Sequence, residues 1–330
     1  MASPTWAEHL AQTNQLPAGL KPAPLAIPEY LVPTAVYNPG VTWDIPTLKQ
    51  PEHGAWLLSS VAEWFGHYSR YQSVSDIWKI TLWAFMTHVR DPKTKRPLIP
   101  MIPKLLFLGE SGSGKSTDLQ LLNLVCACTD DLEVEPTEPA VRQMLGPEQL
   151  TFMLDEADIL FGSGNRKSAI RSILNACSYP NGHTSRIQGG KRVKDYVYGP
   201  AAIAALPAME VSTGSVLESL INRSHKVYKE TTTEDIPQIL FDEEGMALGS
   251  QARKMIAAWA QDNLAEIVAA ITTVKVPDAI NREAQKWRGM MAVAQVAGGM
   301  WPQYAANAAL GTKDTGSLSD FRSKLGRLGK

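Results

Sequence analysis

Cysteine is scarce in this chain: three in 330 residues, at Cys126, Cys128 and Cys177. An odd, scattered trio excludes a disulfide framework. A Cys-x-Cys pair without further Cys or His at ligand spacing gives no basis for a zinc site. Cys126 and Cys128 lie in an apolar helical run, where packing is the expected role. Long hydrophobic runs are missing too. No stretch approaches the ~20 apolar residues that span a bilayer, so no membrane partner is expected. The opening residues, Met1-Ala-Ser-Pro-Thr-Trp6, lack the basic and then apolar regions of a signal peptide. A soluble protein in a reducing cytoplasm is the expectation. Charge of one sign is also absent: the formal net charge is -1 and the pI about 6.6. A uniformly basic nucleic-acid coat is therefore excluded, and any DNA contact must come from a local patch. No internal repeat is visible.

What the chain has in quantity is apolar side chain, 44% of the whole, enough for one large domain or two smaller ones. Nine of its 22 prolines fall in the first 51 residues, too close together for a long helix. Residues 1–53 thus read as an extended arm, with Trp6, Tyr30, Tyr37 and Trp43 available to pack on its own subunit or a neighbour. From Gly54 to His88 the apolar spacing turns helical, first through Trp56, Leu57, Val61 and Trp64, then through Ile77, Ile80, Leu82, Trp83 and Phe85. Strands are expected at Leu105–Leu108, Leu132–Glu135, Thr151–Asp155, Ala201–Leu206 and Lys226–Lys229, alternating with helical stretches. That alternation predicts an α/β core over 54–235 with a parallel sheet flanked by helices. Residues 236–310 read as all helical, with segments Gln251–Ile271, Pro277–Val296 and Trp301–Leu310. Residues 311–330 form a Gly/Ser-rich basic tail, expected to be mobile.

The segment Gly109-Glu-Ser111-Gly112-Ser113-Gly114-Lys115-Ser116-Thr117 carries the most specific chemistry. It fits Gly-x4-Gly-Lys-Ser/Thr and lies between an apolar strand and the helical run Leu119–Val125. Glycines let backbone N–H groups converge on phosphate oxygens at a helix N-terminus that already favours anions. Lys115 would bridge the β- and γ-phosphates of ATP, and the Ser116 hydroxyl would ligate Mg²⁺. Some 40 residues on, an apolar strand ends in Asp155-Glu156-Ala-Asp158. Asp155 would hold the Mg²⁺ water shell beside Ser116, and Glu156 would polarise the attacking water. Asp158 reads equally as a support for the site or as a surface carboxylate.

Two arginines are candidates for charge stabilisation at a γ-phosphate. Arg223 falls between a helix and the last strand, where ring-forming ATPases carry an arginine that acts on a neighbouring subunit. Arg282 opens the Pro277–Val296 segment and could reach phosphate from a lid, with Arg288 as the fallback. A structural ion pair is the alternative for each. The stretch Thr184–Tyr198 reads as two short strands around Gly189-Gly190. Its Arg186, Lys191, Arg192 and Lys194 form the densest local positive charge. They suit a grip on the DNA backbone, or equally the charged edge of a solvated hairpin.

Taken in order, Leu154-Asp-Glu-Ala-Asp158, Leu174-Asn175-Ala, Tyr198-Gly199-Pro200-Ala-Ala-Ile-Ala and Asn222-Arg223-Ser224 resemble a family of P-loop ATPases found in actinobacterial phages and mobile elements, often described as helicase-like or primase-helicase-like. Arg282-x4-Trp287, Met291-Ala-Val-Ala294, Gly298-Gly299-x-Trp301-Pro302 and Ala305–Ala309 are similar to that family's lid, and Trp78–His88 to its helix ahead of the cradle. The resemblance covers Ala55 to Leu310. It implies an AAA+-like P-loop NTPase core with a C-terminal helical lid, and functional roles for Arg186, Arg223 and Arg282. Together with the motifs, the expectation is a homo-oligomeric ring, hexameric by preference, acting on DNA in the host cytoplasm with ATP between subunits. A nucleotide-gated loader or assembly factor that binds a replicative helicase or another protein is the rival expectation. Two departures stand out. The strand Ala201–Leu206 runs into Pro207 with no Asn or Thr, so the polar water-orienting residue common in AAA+ enzymes is missing. The loop Met209–Gly214 is also longer than in that pattern.

Overall fold

The computed structural model describes residues 51–158, 165–208 and 215–314. The proline-rich arm to residue 50, the long loop at 209–214 and the tail beyond 314 lie outside them.

The apolar run Leu105–Leu108 forms the body of β1 (Lys104–Gly109), buried at every position, as a strand covered on both faces must be. It pairs in parallel with β5 (Ala201–Ala205) and with β6 (Ser224–Lys229), and β5 pairs in turn with β2 (Phe152–Leu154). The order across the sheet is β2-β5-β1-β6. Alternate side chains enter two cores. Leu105, Phe107, Met153, Ala202, Ala204 and Val227 face one; Leu106, Leu108, Phe152, Leu154 and Ile203 face the other.

The first core is built with helices α1 (Pro51–Tyr68), α2 (Val74–Met86) and α3 (Lys115–Val125). Their boundaries have local causes. α1 begins at a proline, which costs nothing where the N–H has no helical partner. The Ser73 hydroxyl caps α2 by accepting from Ser75 N–H at 3.1 Å. The second core takes α4 (Glu138–Leu145), α5 (Asn165–Ala176) and α6 (Ser215–Ile221). The result is a parallel α/β sheet with helices on both faces, as the alternating pattern predicts.

The C-terminal segment is α7 (Glu243–Asp262), α8 (Leu264–Thr273), α9 (Asn281–Ala297) and α10 (Trp301–Asp314). These helices share one apolar cluster with α1, α2 and α3. Trp78 of α2 stacks on Tyr304 of α10 at 4.4 Å, and Phe85 meets Trp259 of α7 edge-on at 5.7 Å. Gly54 permits this closeness: a Cβ there would lie 2.7 Å from the Ala297 Cα.

Three expected elements differ. Leu132–Glu135 is no strand; Thr129 and Glu133 make only isolated parallel bridges to Thr151 and Leu154. This is the sheet edge, where Asp130, Asp131 and Glu135 stay in water and Pro136 ends any ladder. The helix expected over Gln251–Ile271 starts earlier, at Glu243 behind the Asp242 cap, and breaks at Asn263, whose side chain bonds the Trp259 carbonyl at 2.8 Å. The helix expected from Pro277 starts at Asn281, because Asp278 and Asn281 both take positive φ (48° and 51°).

Between α5 and β5 lies the expected hairpin, β3 (His183–Gln188) and β4 (Lys191–Tyr196), antiparallel from His183↔Tyr196 to Gln188↔Lys191. Gly189 and Gly190 turn it with φ of 57° and 74°, the left-handed pair that a two-residue hairpin turn requires.

Candidate functional site

The loop 109–117 joins the C-terminal end of β1 to the N-terminus of α3. Gly112 and Gly114 take φ of 78° and 84°, a region that strains any side chain. At Gly109 the constraint is space, since a Cβ would lie 2.5 Å from both the Lys229 carbonyl and the Ser113 hydroxyl. No side chain caps α3, so its first amides stay available to an anion at the positive end of the helix dipole. The Ser113 hydroxyl is buried without a hydrogen-bond partner. Lys115 bends over the loop, its Nζ donating to the Gly109 and Glu110 carbonyls at 2.7 and 2.8 Å. Ser116 is exposed and Thr117 half-buried in the first turn of α3.

Burial lowers the Lys115 pKa, and the charges of Asp158, Asp155 and Glu110 oppose that, in this order of strength. β1, β5 and β2 run parallel, so the acidic end of β2 lies at the same sheet edge as the loop. Because β5 lies between β1 and β2, two strand spacings, about 10 Å, separate the strand ends. Asp155 N–H donates to the Glu133 carbonyl and its Oδ1 accepts from Glu156 N–H, each at 2.8 Å. Glu156 is exposed and takes φ of 48°, a strained conformation for a side-chain-bearing residue. The donor chemistry fits magnesium. A hydroxyl and a carboxylate are hard oxygen ligands, and Mg²⁺ bound with a nucleotide needs only one or two from protein. Among the described residues no cluster of three His, Cys, Asp or Glu could hold a metal by itself.

Behind the loop sits a buried polar knot that sequence reasoning missed. Asp118, in the first turn of α3, is fully buried and pairs with Lys229 at the end of β6, at 3.0 Å. Ser69 and Tyr71 hydroxyls donate to Asp118 Oδ1 at 2.7 and 2.8 Å. Lys229 Nζ also donates to Ser69 Oγ and the Arg70 carbonyl, and lies 4.2 Å over the Tyr71 ring. The knot ties α3 to β6 and to the link between α1 and α2. An acid directly after Gly-Lys-Ser-Thr was its only sequence signal.

The arginines lie elsewhere. Arg223 directly precedes β6, and its carbonyl accepts from Lys104 N–H at the start of β1. Its Nη1 donates to the Ser219 carbonyl at 2.8 Å and to the Ser219 hydroxyl. Arg282 is exposed, one helical turn before Lys286, which donates to the Ser224 carbonyl at 3.2 Å. Arg288 lines a shallow pocket with Ile99, Met101 and Tyr179. All three are at the N-terminal edge of the sheet, opposite the loop of their own chain.

On the hairpin, Lys191, Arg192 and Lys194 are exposed. Arg186 is not free: it pairs with Asp195 at 2.8 Å, and Asp195 also pairs with Arg142 at 3.1 Å. Between α4 and the hairpin runs a groove of about 740 Å³, lined by Arg96, Arg142, Arg186, Lys194, Tyr196 and Tyr198 among others. Cys126 and Cys177 are buried, and burial pushes the Cys126 thiol up to about 12, which leaves packing as its role. No helix among the described residues is long and apolar enough to cross a membrane.

Residues 210–324 match a family model described as "Protein of unknown function (DUF3631)". That span holds Arg223 and Arg282 but neither the loop nor the acidic strand end. No curated protein matches the chain.

Proposed function

We propose that the chain is a Mg²⁺-dependent ATP hydrolase with an AAA+-like P-loop core, working as a DNA motor in a homo-oligomeric ring. One observation carries the reading: a Gly-x4-Gly-Lys-Ser loop joins a buried parallel strand to an uncapped helix, with the acidic strand end brought around its lysine. Backbone amides of Gly112 to Ser116 bind the phosphates, and Lys115 leaves the loop carbonyls to take a β- or γ-oxygen. Ser116 and Asp155 would hold magnesium, which supplies charge neutralisation on the phosphate oxygens. Glu156 orients the attacking water and takes its proton. Arg223 of an adjacent subunit stabilises charge on the transferred phosphate, and Arg282 is the second arginine that a neighbour could receive.

Calorimetry with Mg·ATP tests the binding half: heat is expected from the parent protein and none from Lys115→Ala. Turnover tests the chemical half, because Glu156→Gln should lower kcat by about 10²–10⁴-fold. No heat from the parent, or parental behaviour in both variants, defeats the reading.

One observation favours a second reading. Asp195 and Glu138 together balance Arg186 and Arg142 at the base of the hairpin, which weakens the case for a DNA grip. A nucleotide-gated loader that docks on a replication protein would hydrolyse ATP without needing that grip. Strand displacement on a forked duplex separates the two, since a loader unwinds nothing alone.

A further inference from the structure

β5 lies between the strand that carries the loop and the strand that ends in Asp155 and Glu156. Its C-terminal end therefore borders the gap where phosphate and water meet in the reading above. The residues there are Ala204, Ala205, Leu206 and Pro207, and none offers a hydrogen-bonding side chain. A carboxylate is held at that place all the same. Ala157 N–H donates to the Ala204 carbonyl at 2.9 Å, which draws the segment after Glu156 across the end of β5. Both oxygens of Asp158 then accept the Leu206 N–H at 2.9 Å. A carboxylate has about four acceptor sites, so one N–H leaves most of them for water. Of the three carboxylates around Lys115, the charge of Asp158 acts on it most strongly. A carboxylate that served only solubility would need neither the backbone clamp nor this position.

We propose that Asp158 is a positioning residue of the hydrolytic site: it supplies, from the β2 side, the polar group that β5 lacks, and orders water between Lys115 and Asp155. The proposal rests on the ATPase reading of the loop. It extends that reading to a residue whose motif position left it undecided between site and surface.

Asp158→Asn separates clamp from charge, because its amide oxygen still accepts the Leu206 N–H. The readouts are binding of a fluorescent ATP analogue across a Mg²⁺ titration, turnover, and thermal melting. The Mg²⁺ concentration for half-maximal binding should rise about 10-fold and kcat should fall about 10–100-fold, the usual effect of removing an outer-shell partner. Melting should shift by no more than about 2 °C. Asp158→Glu keeps the charge and should hold the Mg²⁺ response within about three-fold of the parent. A parental Mg²⁺ response and turnover in Asp158→Asn would leave Asp158 as a strut for β5 and overturn the proposal. So would an Asp158→Glu variant that folds but whose Mg²⁺ response is displaced by about 10-fold or more from the parent, which is the deciding measurement if the Asn variant fails to fold. A parent that neither binds the analogue nor turns over defeats the ATPase reading itself, whatever Asp158 does.

Discussion

Replacing Lys229 with Met removes one charge from the knot behind the 109–117 loop and little else, since the two side chains are similar in length. The Lys229 and Asp118 side chains are 1% and 0% exposed, so water cannot replace what is lost. The ammonium gives up an ion pair at 3.0 Å, hydrogen bonds at 2.6 and 2.5 Å, and its place over Tyr71. Asp118 keeps the Ser69 and Tyr71 hydroxyls but has no counter-charge. Breaking a buried pair from one side costs about 3–5 kcal/mol. At about 2–4 °C per kcal/mol for a domain of this size, Lys229→Met should melt about 6–20 °C below the parent. The double variant Asp118→Asn, Lys229→Met has no stranded charge and should recover at least half of that loss. Circular-dichroism melts of the four proteins close the cycle and isolate the pair's coupling. A single variant melting like the parent, or a double variant that loses the sum of both singles, would refute the argument. Lys229 also bounds the space at Gly109, so on the ATPase reading any shift of the β6 end after loss of the ion pair should weaken Mg·ATP binding by Lys229→Met.

Acid should destabilise the fold through buried histidines. His88 Nε2 donates to the Val125 carbonyl at 2.8 Å, and burial holds its pKa at about 3 against an ordinary 6.5. The folded state refuses a proton that the unfolded state accepts. Stability therefore rises with pH between those values and is lost as pH falls through them, by up to about 1.4 kcal/mol per pH unit. His225, also lowered by burial, adds in the same direction. Urea unfolding at about pH 7 and about pH 5 checks this, and a His88→Asn variant with an unchanged pH slope would refute it. On the hairpin, replacing Lys191, Arg192 and Lys194 together with Ala should abolish DNA stimulation of turnover. It should also lower the slope of log affinity against log salt by about 2, at roughly 0.7 per lost phosphate contact. Unchanged stimulation would rule out the hairpin as the grip.

Features written in consecutive residues were legible in the sequence. The 109–117 loop is a local pattern whose glycines answer local needs, positive φ at Gly112 and Gly114 and space at Gly109. β1 follows from an unbroken apolar run, and the hairpin from Gly189-Gly190 between alternating residues. Features that depend on distant partners were not legible. Asp118 gains its meaning from Ser69, Tyr71 and Lys229, and Asp158 from the Leu206 amide, pairings that no spacing rule reaches. Glu133 failed as a strand for a similar reason. Its run carries β-forming Leu and Val, but its place at the sheet edge leaves one side to water, and a single parallel bridge survives. The α7–α8 break was missed because the apolar period continues across Asn263, although its side chain turns back on the Trp259 carbonyl.

The position of β6 sharpens the question of oligomeric state. Arg223 stands at its N-terminal end and Lys229 at the other, beside the loop. Six strand residues span about 20 Å, well beyond the reach of an arginine side chain. Arg223 therefore cannot touch a nucleotide held by its own subunit, and the same geometry applies to Arg282. Either these residues stabilise the fold, as the bonds of Arg223 to Ser219 allow, or they serve the loop of another copy. The buried Nε of Arg223 has no hydrogen-bond partner, which a purely structural arginine would be expected to satisfy. A catalytic role for Arg223 thus entails a ring or chain of subunits, and proof that the active species is a monomer would remove Arg223 from the proposed mechanism while leaving the proposed roles of Lys115, Ser116, Asp155 and Glu156 untouched.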